Sequence, residues 1–266
     1  MDLREARART EIVRHPWELA RFEVVNDILM QHFDADEQLQ VLDLGCGDTF
    51  FVENLSQRFP NSTFYGVDIE FKVDDLAYYA ETFENKPIAV FDSLEQMEQQ
   101  RSVQQIDAVL LLDVVEHIEK DVEFLQMLFE KNYITESTKI FITVPAFQSL
   151  YTTHDDFLGH YRRYTNKTLV KTIRKAGFQK LKVGYFFTSL LPVRLLKVIK
   201  ERIVGKDQES TGLVEWSGSK GTTNIMKQNL IADYKISHFF RKIGIKTLGL
   251  SNYIVIRKGE NEKLRE

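Results

Sequence analysis

A chain of 266 residues, 43% hydrophobic and 28% charged, has the make-up of a globular protein and the length of one large domain, with room for an insertion. Its net charge of −4 excludes the strongly basic footprint of a dedicated nucleic-acid binder, and its single cysteine, Cys46, excludes an intrachain disulfide and a cysteine-only metal site. The charge is uneven, with 15 Lys and Arg against 8 Asp and Glu from Leu190 onward, so the first 189 residues are acidic.

The opening Met1-Asp2-Leu3-Arg4-Glu5 alternates charge without an apolar run, so no signal peptide is expected. No stretch nears the roughly 18 apolar residues of a membrane span, and a cytoplasmic location is the expectation. Residues 4–33 read as helical, with Leu19, Phe22, Val25, Ile28 and Leu29 at three- and four-residue steps and Pro16 suited to a first turn. From Leu39 the pattern changes to short apolar strands at 39–44, 63–67, 88–91, 106–112 and 139–144, separated by stretches of helical length. That alternation predicts parallel strands with crossover helices, buried on both faces. One helix is predicted over 121–133, with Val122, Leu125, Met127 and Leu128 available to the sheet. Another is predicted over 166–176, capped by Asn166 and ended by Gly177.

Two further strands are predicted, at 178–187 and 250–257. The sixty or so residues between them exceed a hairpin loop. They divide into a basic amphipathic helix at 190–204 with Pro192 in its first turn, a Gly- and Ser-rich mobile stretch at 205–224, and a last helix at 225–243. The 190–204 helix admits two readings: it lies on a membrane surface, or it packs as a lid with a solvated basic face.

The strongest local signal is Val41-Leu42-Asp43-Leu44-Gly45-Cys46-Gly47-Asp48, where the first strand meets its helix. Two glycines let the backbone bend sharply and a ligand approach its N–H groups. Asp43 before the loop, Asp48 after it and the lack of a third glycine disfavour a pyrophosphate and suit a cationic ligand. Asp68 ends the second strand, where it can accept both hydroxyls of a ribose. Asp92 ends the third, within reach of an adenine amino group, and Asp113 ends the fourth. A single carboxylate at a strand end can be a helix cap, but four along one edge of the sheet read as a site.

These blocks, VLDLGCGD, GVDIE and DAVLLLDVVEHIEKD, resemble those of class I S-adenosylmethionine-dependent methyltransferases. The resemblance implies a Rossmann-like α/β fold with a seven-stranded sheet whose last strand is antiparallel, N-terminal helices and a helical insertion before the final strand. It implies one methyltransferase domain over 1–266: an N-terminal helical cap (1–36), a cofactor-binding core (37–187), a helical insertion or lid (188–245) and the final strand (246–258). It places Gly45, Cys46 and Gly47 at the methionine side of S-adenosylmethionine, with Asp43 on its amino group. Asp68 and Ile69 go to the ribose, Asp92 and Ser93 to the adenine edge, and Asp113, Val114 and His117 line the same pocket. Thr49 departs from the pattern, since many members carry a glycine there. Arg14-His15-Pro16-Trp17-Glu18 with Ala20-Arg21-Phe22, Val144-Pro145-Ala146, the run 154–164 and Gly249-Leu250-Ser251 resemble a bacterial subgroup acting on surface polysaccharides, lipid-linked sugars or secondary metabolites.

The run 154–164 should overlie the methyl end of the cofactor. His160 with Asp155 is the candidate general-base pair, and His154, Arg162, Arg163 and Tyr164 are candidate substrate contacts. The same residues could instead pin a lid through salt bridges. His117 can touch the cofactor or donate to a backbone carbonyl. No metal is expected, because no His/Asp/Glu set has convincing ligand spacing. The expected activity is methyl transfer to a small or lipid-linked acceptor, by O-methylation of a sugar, glycan or natural-product hydroxyl. The rival readings are a catalytically silent binding protein of the same fold, an NAD-dependent oxidoreductase and, below these, an RNA methyltransferase.

Overall fold

A computed structural model describes residues 14–205 and 216–259. Seven strands form one sheet in the order β3-β2-β1-β4-β5-β7-β6. They are β1 (Gln40–Leu44), β2 (Thr63–Val67), β3 (Ile88–Phe91), β4 (Ile106–Leu112), β5 (Ile134–Pro145), β6 (Phe178–Phe186) and β7 (Ser251–Lys258). β1 pairs parallel with β2 and β4, and β7 runs antiparallel between β5 and β6. The seven strands with an antiparallel last strand match the expected fold class, and the expected strands agree with the observed ones except at β5. That strand starts at Ile134 because Thr138, fully buried, donates from Oγ1 to the Ile106 carbonyl at 2.6 Å and bridges a register shift against β4.

Alternation along the strands builds two cores. Val41, Ala108, Leu110, Phe141, Tyr253 and Val255 point to one face; Leu42, Val109, Leu111, Ile142, Ile254 and Ile256 point to the other. The first face is covered by α1 (Pro16–Leu29), α2 (Phe50–Arg58), α3 (Val73–Thr82) and α9 (Lys220–Lys242); the second by α4 (Leu94–Gln100), α5 (Asp121–Glu130) and α7 (Asn166–Lys175). Two short or surface helices remain, α6 (Thr153–Leu158) and α8 (Leu190–Val204). Strand order reverses between β1 and β4, so the loops at their carboxyl ends open into a crevice.

Several local expectations change. Residues 4–13 of the predicted 4–33 helix and 206–215 of the predicted mobile stretch lie outside the described residues. Pro16 is the first residue of α1, after a capping box of His15 and Glu18. Thr165, rather than Asn166, caps α7 by accepting from the Thr168 amide, and Gly177 follows the helix at φ 94°, where a side chain would be strained. Met127 is 37% exposed and does not face the sheet; Leu125 and Leu128 do. The last helix starts at Lys220, five residues early, because Ser219 accepts from the Thr222 amide.

The largest revision concerns α8. Its inward stripe is Arg194, Lys197, Val198 and Glu201, while Val193, Leu196, Ile199 and Ile203 face outward, Leu196 68% and Ile203 79% exposed. Among the described residues it is therefore not a lid packed by its apolar side. What holds it is polar: Arg194 Nε donates to the Leu150 carbonyl at 3.0 Å, Arg202 to the Ser149 carbonyl at 3.1 Å, and Glu201 accepts from the Thr153 amide at 3.2 Å.

Candidate active site

The glycine loop is tied to the end of β2. The amides of Gly45 and Cys46 donate to the Val67 carbonyl at 2.7 and 3.2 Å, and the Gly47 amide donates to Asp68 Oδ2 at 2.8 Å. Gly45 has φ 80°, and a Cβ there would lie 2.6 Å from Val114 Cγ2, so only glycine lets the loop close on the β4 turn. Thr49, at the departure from the family pattern, holds a left-handed φ of 62° that a glycine would adopt freely.

The expected carboxylates divide. Asp43 is 2% exposed and its Oδ1 has no hydrogen-bond partner. Burial pushes its carboxyl up to about 7, with Arg21 opposing and Asp68 adding to the rise. Asp68 accepts the Gly47 amide on one oxygen and the Glu70 amide, at 2.9 Å, on the other. Asp113 takes φ 58°, accepts from Thr143 Oγ1 at 2.9 Å and pairs with Arg21. Asp43, Asp68 and Asp113 line one cavity with Gly45, Cys46, Gly47, Ile69, Val114 and His117. Asp92 and Ser93 do not reach its wall: Ser93 Oγ donates to Asp92 Oδ1 at 2.7 Å and accepts from the Gln96 amide, capping α4.

The sequence reading gave no site role to α1 and the two residues before it. Arg14 meets Asp48 at 2.7 Å, Arg21 meets Asp113, and His15, Trp17 and Glu18 add to the cavity wall. Arg14 and Arg21 stand in segments that resemble the family subgroup, and basic residues ahead of an acidic loop are the signal for their role. Glu116 was also passed over. It is fully buried on the wall, neither carboxylate oxygen has a hydrogen-bond partner, and burial with Asp113 beside it pushes its carboxyl up.

Opposite the glycine loop, the 154–164 run folds around Asp155. His160 Nδ1 lies 3.0 Å from Asp155 Oδ1, Arg163 Nε donates to that oxygen at 2.7 Å, and Arg194 pairs with Oδ2. Burial alone would raise the Asp155 carboxyl; the His160 hydrogen bond with Arg163 and Arg194 holds it well below the carboxylate range instead. His154, His160, Arg163 and Arg194 line the cavity. Burial, with Lys197 and Arg194 nearby, brings His154 down to about 4, so it is a neutral imidazole near pH 7. Two expected substrate contacts stand elsewhere. Tyr164 is 2% exposed with its hydroxyl on Asp121 at 2.7 Å, and Arg162 binds the Glu119 carbonyl at 2.6 Å and Asp121 at 3.1 Å. Both anchor the loop to α5.

The family model described as a methyltransferase domain matches residues 17–183. The chain belongs to that family, within the class I S-adenosylmethionine-dependent methyltransferases. The ubiquinone biosynthesis O-methyltransferase of Rickettsia bellii is 27% identical over 112 residues, 42% of this chain and 45% of that protein, so the match spans less than half of the relative. Among solved structures, phosphoethanolamine N-methyltransferase 2 of Haemonchus contortus, in complex with S-adenosyl-L-methionine, superposes with a TM-score of 0.53 at 16% identity over 90% of this chain and 53% of that one. The [4+2]-cyclase SpnF superposes at 0.55 with 12% identity, covering 94% and 84%. At these identities the likeness is one of fold.

The methyltransferase's own residues fit the family's cofactor. The cavity is about 470 Å³, and its glycine-loop end presents the unpartnered oxygen of buried Asp43 beside Asp68 and Asp113. Such a carboxylate set suits an ammonium and a sulfonium rather than a phosphate.

Proposed function

We propose that this methyltransferase transfers the methyl group of S-adenosylmethionine to the hydroxyl of a small acceptor such as a sugar, a lipid-linked glycan or a natural product. The observation that carries the reading is the single cavity joining the Asp43–Asp68–Asp113 edge to the His160–Asp155 pair. The O-methyltransferase among the relatives supports oxygen as the acceptor atom. The bound cofactor supplies an electrophilic methyl on sulfur. Asp43 takes its ammonium, Asp68 its ribose hydroxyls, and Ile69, 83% exposed at the rim, an apolar face. Asp155 keeps the proton of His160 on Nδ1, which leaves Nε2 as the acceptor for a hydroxyl proton. Arg163 and Arg194 hold an excess of positive charge over Asp155 beside it, which favours an acceptor carrying an acidic group.

Calorimetric titration with S-adenosylmethionine and S-adenosylhomocysteine tests the reading, with micromolar binding expected. Folded protein that binds neither would be a silent relative of the fold. The titration also carries a pH signature. In the free protein Asp43 is protonated up to about pH 7, so the native state holds a proton that the unfolded chain has lost above about pH 4. Its contribution to stability therefore falls as pH rises through that window. An ammonium beside it favours the ionised form, so binding at pH 7 should release a fraction of a proton. Titrations in two buffers of different ionisation enthalpy measure this, and equal heats would refute it.

The outward apolar row of α8, with exposed Lys200 and Arg202 beside it, supports a peripheral contact with an anionic lipid surface. Among the described residues no helix is long and apolar enough to cross a membrane. The protein should co-sediment with vesicles containing phosphatidylglycerol more than with phosphatidylcholine alone, and Leu196→Glu should weaken this at least fivefold. Absence of sedimentation with either vesicle would remove the lipid contact.

A further inference from the structure

The buried Glu116 carboxylate is the least explained group in the protein. It is 0% exposed, lies on the wall of the cavity, and neither oxygen has a hydrogen-bond partner. An isolated carboxylate in such a place is strongly disfavoured unless it is neutral or meets a cation. The nearest candidate cations are already engaged: Arg21 with Asp113, and Arg163 with Asp155.

Two imidazoles converge on the same spot. His117 follows Glu116 on the turn after β4, and its ring stands edge-on to that of His160 with centroids 4.6 Å apart. One ligand atom from each of Glu116, His117 and His160 lies within 4.8 Å of the others. The loop carrying His160 is pinned to this turn, since the Tyr161 amide donates to the Glu116 carbonyl at 2.8 Å. Asp155 at 3.0 Å from Nδ1 leaves the His160 Nε2 lone pair for a ligand, the carboxylate–histidine arrangement that orients imidazoles toward metals.

We propose that Glu116, His117 and His160 form a binding site for a divalent transition-metal cation, with coordination positions open to the cavity. Two nitrogens and one carboxylate match zinc and its first-row neighbours better than magnesium, which prefers oxygen ligands. Metal–ligand bonds of about 2.0–2.2 Å require the three side chains to close by less than about 1 Å. The site stands on its own geometry; with a metal bound, His160 Nε2 is a ligand and no longer the proton acceptor, and the use of the site, to hold an acceptor through oxygen donors beside the methyl donor, rests on the proposed methyl transfer. It also revises the expectation that no metal set exists, because residues 116 and 117 meet residue 160 across α5, β5 and α6 and not by local spacing.

The test uses the full chain, stripped with EDTA and dialysed free of chelator. Titration with Co2+, read by its visible absorption, and with Zn2+, read by calorimetry, should show one equivalent bound. Glu116→Gln and His160→Ala should each weaken binding at least tenfold, while thermal melts and S-adenosylhomocysteine titration of the same samples report folding and the cofactor site. His160 lies in a loop outside the sheet, so its variant serves if Glu116→Gln fails to fold. No saturable binding up to millimolar metal, or binding unchanged in the variants, would overturn the site. Loss of S-adenosylhomocysteine binding in folded wild type would instead overturn the methyltransferase reading.

Discussion

Replacement of Asp155 by alanine is expected to destabilise the protein by about 3–5 kcal/mol, the usual range for removing one partner from a buried ion pair. Asp155, fully buried on α6, joins that helix to His160 and Arg163 in the loop before α7 and to Arg194 on α8. The side chains of Arg163 and Arg194 are 6% and 10% exposed, so without the carboxylate two guanidinium groups stay desolvated and repel each other. Asp155→Asn should be milder, since it keeps an acceptor and loses only the charge. Urea denaturation measures both, and a loss below about 1 kcal/mol in the alanine variant would show that water replaces the carboxylate. The pH dependence follows from the same group. Its native carboxyl lies well below the usual range, so its stabilisation is present in full above the unfolded value near 4 and is lost as pH falls below it. Wild type should therefore lose more stability between pH 5 and pH 2 than Asp155→Asn does.

Asp68→Ala should weaken S-adenosylmethionine and S-adenosylhomocysteine binding by roughly a hundredfold, or about 3 kcal/mol, the worth of two hydrogen bonds to a charged acceptor. The carboxylate has two duties. It fixes the glycine loop through the Gly47 amide and the turn after β2 through the Glu70 amide, and it lines the cavity where the ribose hydroxyls are proposed to lie. Asp68→Asn separates these duties, because one amide oxygen can keep the Gly47 contact while the second acceptor is lost. An intermediate affinity, about tenfold weaker than wild type, is expected there. Calorimetry of both variants, beside thermal melts confirming a folded core, checks the result. Unchanged affinity in folded Asp68→Ala would remove the residue from the cofactor site.

The sheet and one end of the cavity were legible because they depend on local pattern. Short, nearly continuous apolar runs such as 106–112 identify strands buried on both faces, and Gly45 with Asp43 marks a turn that only certain ligands tolerate. The other end was not legible to the same degree. The helix at 190–204 has the right bounds, but its face is inverted, since periodicity says that a helix is amphipathic without saying which side a neighbour will cover. Arg194, one of the basic residues of that helix, is held by Asp155 and the Leu150 carbonyl, a partnership set by where β6 delivers the helix. Arg162 and Tyr164 had the chemistry of substrate contacts and the geometry of loop anchors.

By itself, then, the sequence determined the α/β class, the seven strands, the glycine loop and the acidic edge, because each rests on residues adjacent in the chain or repeated at a fixed step. Only the tertiary structure decided that Arg14, just before α1, and Arg21 within it neutralise that edge, that Asp155 gathers two guanidinium groups and an imidazole, and that Glu116 meets two histidines, one of them 44 positions along the chain. The physical reason is common to all three. A buried charge takes its partner from whatever element packs against it, and that choice is made by the folding of the whole sheet and not by neighbours in sequence.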